Sequence, residues 1–77
     1  MKKEDLSKII NNITNKNIDF DSNKNVNFGS LEIDSLDMFD IISELESSLI
    51  IEFDNEEFLN IQNFDNLLEM INIKVAK

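Results

Sequence analysis

Apolar residues fall along this chain in stripes at helical spacing. Leu6, Ile9, Ile10 and Ile13 recur at i, i+3, i+4 and i+7, one face of an α-helix. They predict a first helix from about Lys3 to Lys16. Met38, Ile41, Ile42, Leu45 and Leu49 form a second stripe and predict a helix that starts near Ser35. In "DNEEFLN", Asp54 or Asn55 can cap a short third helix with Glu56 and Glu57 in its first turn. Asn63 can cap a last helix whose Phe64, Leu67, Leu68 and Ile71 face inward, and the tail "NIKVAK" is expected to fray.

Between the first two stripes lies "NKNIDFDSNKNVNFGSLEID". Its Asn, Asp, Ser and Gly content reads as a long loop, pinned to the core by Ile18, Phe28 and Leu31. Loops of that length are uncommon inside small domains and are often functional. "IIEF", after the second helix, reads as a short extended or turning connector. The predicted fold is all-α: a small four-helix bundle of three longer helices and one short third helix, with a long loop between helices one and two.

Composition narrows this picture. A chain of 77 residues is expected to form one domain, residues 1–77. With no cysteine and no histidine it has neither disulfides nor the usual soft metal ligands. No proline and a single glycine suit helices better than a fold of tight β-turns. The N-terminus "MKKEDLSKIINNI" has no continuous apolar run, so it does not read as a signal peptide. No segment approaches a membrane span, and the expected location is the cytoplasm.

The net charge of −9 is distributed unevenly. Every basic residue is a lysine within 2–24 or 74–77, while twelve Asp and Glu residues lie between Asn25 and Ile73. Such a field repels nucleic acid and anionic membranes and attracts a basic protein surface. It also predicts self-repulsion that added salt relieves. The segment "DSNKNVNFGSLE" resembles a calcium loop, with Asp21, Asn23, Asn25, Asn27 and Glu32 at ligand positions. Val26, however, stands where that loop needs glycine, and only two ligands are charged. An Asn-rich loop without a metal is the preferred reading.

Ser35 stands at the predicted start of the second helix, where unpaired N–H groups and the positive dipole end favour an anion. It can be a simple cap. If Asp34 caps instead, the Ser35 hydroxyl is free. On the helical wheel Leu36 lies about 160° from the centre of the apolar stripe, and Phe39 roughly 100°. These two apolar residues flank the serine inside a ring of Asp34, Asp37, Asp40 and Glu44. An apolar spot in an acidic rim suits a partner with a socket and a basic border. Serine catalysis lacks its base, since the chain has no histidine and the lysines lie at its ends. Ser35 therefore reads as a recipient of another enzyme's chemistry, and the chain as a non-enzyme.

The segment "LEIDSLDMFDIISELESSLIIEFDNEEFLNIQNFDNLLEMI" resembles the acyl carrier proteins. Asp34-Ser35-Leu36 looks like that family's attachment motif. An acidic second helix, an acidic short third helix and an Asn-capped final helix accompany it. The resemblance spans essentially the whole chain, most specifically residues 28 to 71. It implies that a phosphopantetheinyl transferase, using coenzyme A and magnesium, links 4'-phosphopantetheine to Ser35 through a phosphodiester, with Asp34 and Leu36 beside it. The arm's thiol would carry acyl groups as thioesters between enzymes of fatty-acid or related acyl biosynthesis, giving a cysteine-free monomer thiol chemistry. Leu36, Asp37, Phe39, Asp40, Glu44 and Glu46 are the implied contacts for acyl-transferring and acyl-modifying enzymes with basic patches. The interior near Ile42, Leu45, Phe53, Ile61 and Leu67 is where a bound chain could hide.

Two departures qualify the resemblance. Glu32 replaces the family's usual glycine two residues before the aspartate. Ser43 and Glu44 replace apolar residues typical of fatty-acid carriers. A specialised carrier for polysaccharide, lipid modification or a secondary metabolite therefore stands beside the fatty-acid reading. So does an unmodified acidic binding module.

Overall fold

A computed structural model of the chain describes residues 1–76. Its elements are helices α1 (Lys3–Thr14), α2 (Phe20–Asn23), α3 (Ser35–Leu49), α4 (Asn55–Asn60) and α5 (Phe64–Val75), with a 3-10 turn at Phe28–Leu31. The three longer helices and the short one after α3 agree with the predicted bundle. Their stripes meet in one core, where Leu6, Ile10, Ile41, Leu45, Leu67 and Ile71 are fully buried. Ile9, Ile13, Leu49 and Leu68 pack partly exposed around it.

The long loop differs from expectation, because it is neither structureless nor pinned only by apolar contacts. Asp19 caps α2 through Asp21 N–H and the Ser22 hydroxyl. Phe20 is buried, stacks on Phe64 at 4.5 Å, and meets Phe28 edge-on at 6.5 Å. Asn11 clamps Ile18 twice, accepting from its N–H at 2.9 Å and donating to its carbonyl at 3.0 Å. At the other end Phe28 N–H donates to the Gln62 carbonyl, and Asp65 N–H to that of Lys24. Phe28 is buried as predicted, Ile18 and Leu31 are half-buried, and Ile33 is a further buried residue of this segment.

The calcium-like segment folds as the α2 turn and the 3-10 turn. Asp21 is taken by the Lys3 ammonium at 2.9 Å, a hydrogen bond that holds the Lys3 pKa above its ordinary value. Among the described residues no group of three or more His, Cys, Asp or Glu side chains could hold a metal ion.

The tail is a second correction. α5 continues to Val75, and Lys74 is packed against the bundle, its ammonium 2.7 Å from a Glu57 carboxylate oxygen. Only Lys77 of the expected frayed tail lies outside the described residues. Among the described residues no helix is long and apolar enough to cross a membrane.

Among the described residues three adopt positive φ: Asn15 at 57°, Glu32 at 62° and Ile50 at 54°. Each ends a helical element. After the 3-10 turn, the left-handed Glu32 lets Ile33 N–H reach back to the Phe28 carbonyl at 3.0 Å. That reversal delivers the chain to Asp34 and the start of α3. Glu32 thus occupies a backbone conformation that glycine adopts without steric cost.

Candidate attachment site

Asp34 is the N-cap of α3. Its carboxylate accepts from Asp37 N–H at 2.9 Å, and the Asp37 carboxylate accepts in return from Asp34 N–H at 3.4 Å. This capping box uses aspartate at both positions, where the usual pair ends in Glu or Gln. Because Asp34 does the capping, Ser35 becomes the first residue of the helix proper. Its side chain is exposed, and among the described residues its hydroxyl has no hydrogen-bond partner. The N–H groups of Ser35 and Leu36 lie in the first turn, where no intrahelical carbonyl can reach them.

A groove of ≈ 680 Å³ runs from Ser35 between the segment before α3 and the end of α4. Met38, Phe58, Leu59 and Ile61 give it an apolar side, and Asn27 and Gln62 a polar one. This lining fits a flexible arm that alternates methylenes with amides: apolar walls take the methylenes, and the Asn and Gln side chains can exchange hydrogen bonds with amides. The helix start supplies N–H donors and a positive dipole for a phosphodiester.

The implied contact residues separate into two groups. Leu36 and Phe39 are 78% and 64% exposed, and Asp40 and Glu44 are exposed with them along α3. Glu44 also accepts from the Ser48 hydroxyl one turn on. Asp37 and Glu46 have internal work. Asp37 is half-buried in the capping box. Glu46 turns back to accept from Phe53 N–H at 2.9 Å, which shapes the connector after α3.

The residues expected around a bound chain divide between the core and its edge. Leu45 and Leu67 are fully buried in the core, while Phe53 and Ile61 are half-buried at its edge. A recess of ≈ 240 Å³ between α3 and α4 is lined by Phe39, Ile42, Ser43, Glu46, Phe53, Asp54, Asn55 and Phe58, so Ile42 and Phe53 of the expected set stand on its wall. Sequence reading missed Phe58 and Leu59, which border Ser35 from α4. Their spacing carries no long stripe, since α4 has only six residues.

Comparison with known proteins bears on this geometry. The profile of the family described as "phosphopantetheine attachment site" matches residues 4–71. One curated relative, "Acyl carrier protein homolog" of Mycoplasma genitalium, is 46% identical over 48 residues. That match takes in 61% of this chain and 57% of the relative, so little more than half of the relative's length is spanned. No solved structure matches. The chain belongs to the acyl carrier protein family and carries its phosphopantetheine attachment domain.

Proposed function

We propose that Ser35 accepts 4'-phosphopantetheine from coenzyme A, and that the chain carries acyl groups as thioesters between enzymes. The observation that carries this reading is the Ser35 hydroxyl, exposed and released from capping by Asp34. The Ser35 oxygen would form the new phosphodiester as the phosphoanhydride of coenzyme A breaks and adenosine 3',5'-bisphosphate leaves. Its proton must pass to a base on the transferase, because the only carboxylates of the first turn, Asp34 and Asp37, are committed to each other. When bound, the arm supplies the thiol that this chain lacks. The chain is then a substrate and a carrier, not an enzyme.

Leu36, Phe39, Asp40 and Glu44 support docking to enzymes that pair an apolar socket with a basic border. We assign them to the transferase and to acyl-transferring partners, met as a single domain in the cytoplasm and as a monomer. Ser43 and Glu44, both exposed, make the outer side of α3 polar. This favours a specialised acyl pathway as a second reading beside fatty-acid synthesis.

Incubation with coenzyme A and a broad-specificity transferase should add the mass of one phosphopantetheine. The Ser35→Ala variant should stay unmodified. No addition to the wild-type chain, or equal addition to both, overturns the proposal and leaves an unmodified acidic binding module.

A further inference from the structure

Lys74 is the only basic residue between Asn25 and Ala76, in a stretch dense with acids. It is not spent on the open surface. Its ammonium lies 2.7 Å from Glu57 Oε2 and 5.0 Å from the centre of the Phe53 ring. The paired side chains are 20% and 33% exposed, against 57% and 73% for Lys3 and Asp21. A pair so withdrawn from water is less screened than an ordinary surface pair, and the aromatic face adds to it.

Of the two partners of Lys74, Phe53 lines the recess between α3 and α4, and Glu57 lies in the first turn of α4, whose Asn55 and Phe58 line it. α4 needs such a hold. It has six residues and buries none of them fully; a capping box at its start and the half-buried Phe58 are a thin hold for so short a helix. Phe58 of α4 lines both this recess and the groove leading from Ser35, so it stands between the two spaces. A group entering the recess from Ser35 must move past it.

We infer that Lys74 is a latch: through Glu57 and Phe53 it holds α4 closed over the recess, and its release lets α4 move and joins the recess to the attachment groove. The latch itself rests on geometry alone. Its consequence, that closure shelters a carried acyl chain, rests on the proposed function.

Two substitutions separate the ion pair from the rest of the fold. Lys74→Met keeps an apolar stem over Phe53 and removes the charge. Glu57→Gln keeps an acceptor for Asp54 N–H, which Glu57 Oε1 now serves at 3.0 Å, and also removes the charge. In the unmodified protein, hydrogen exchange of the amides from Phe58 to Ile61 should quicken about three- to tenfold in either variant. The double variant should add little more, and Lys74→Arg should restore slow exchange. Amides in the centres of α1 and α3 should not change. Unaltered exchange in α4, or equal acceleration throughout the chain, overturns the latch.

The second arm uses protein loaded at Ser35 with an octanoyl thioester and attacked by hydroxylamine. Cleavage should be faster in Lys74→Met than in wild type. Equal cleavage alongside faster α4 exchange overturns the sheltering role while the latch stands. Failure to load Ser35 counts against the carrier reading, and the exchange data then judge the latch without it.

Discussion

Asp34 and Asp37 cap the start of α3 by exchanging hydrogen bonds, carboxylate to N–H in both directions, at 2.9 and 3.4 Å. Ser35 lies between them and takes no part. Structure and chemistry are therefore assigned to different residues of one short motif. Asp34→Ala should cost about 1 kcal/mol, the usual worth of an N-cap. Ser35→Ala should stay within about 0.5 kcal/mol of wild type, as at an exposed site without a partner. Urea unfolding of the two variants checks the contrast. A large loss in Ser35→Ala would contradict it.

The same division governs how docking should be tested. Asp37→Lys would break the capping box and confuse a lost contact with a lost helix start. Asp40 is exposed, and among the described residues has no recorded hydrogen bond or ion pair. Asp40→Lys should therefore leave the melting temperature nearly unchanged and lower the transferase kcat/KM roughly tenfold at low salt, less at high salt. Leu36→Ala should lower it with little salt dependence. A salt-independent Asp40 effect would argue against electrostatic docking.

Glycine is absent from the three left-handed positions, and this gives a graded stability series. Ile50 is β-branched, 91% exposed and held at φ 54°. Relief of left-handed strain, about 1–2 kcal/mol for a side chain that tolerates it poorly, exceeds the entropy glycine adds to the unfolded chain. Ile50→Gly should stabilise by about 1 kcal/mol, raising Tm by about 4–8 °C in a domain of this size. Glu32→Gly should gain less, because the entropic cost offsets more of it and a loose 4.0 Å pair with Lys16 is lost. Asn15→Gly should change little, since Asn already accepts this conformation. Calorimetry that reversed this order would contradict the strain argument.

Phe20 should behave as a core residue although it sits on a four-residue helix inside the predicted loop. It is buried, stacked on Phe64 and edge-on to Phe28. Phe20→Ala should cost about 3 kcal/mol or more, as Leu67→Ala should on α5. A loss below about 1 kcal/mol would mean the segment does not pack as described.

Salt should stabilise the fold as a whole. Twelve acids between Asn25 and Ile73 face one lysine, Lys74, a residue further on. Raising ionic strength from low salt to about 0.15 M shortens the screening length to about 8 Å and weakens their repulsion. Melting temperature should rise over this range, and a flat response would contradict the prediction.

The sequence by itself determined the three long helices, the two candidate caps Asp34 and Ser35, the exposure of Leu36, and the one-signed charge around Ser35. These follow from periodicity, capping chemistry and composition, all of which act within a few turns of chain. Tertiary structure decided the rest. Phe20 became core because Phe64, distant in sequence, stacks on it while Phe28 meets it edge-on. Glu46 turned inward because the connector brings Phe53 N–H back to it. α5 runs on to Val75, where Lys74 finds Glu57 and Phe53 across the bundle. A recess opens between α3 and α4 because α4 brings Phe58, and the connector Phe53, beside Phe39 and Ile42. Each of these depends on contacts between elements rather than within one helix, and the spacing inside a helix carries no record of them.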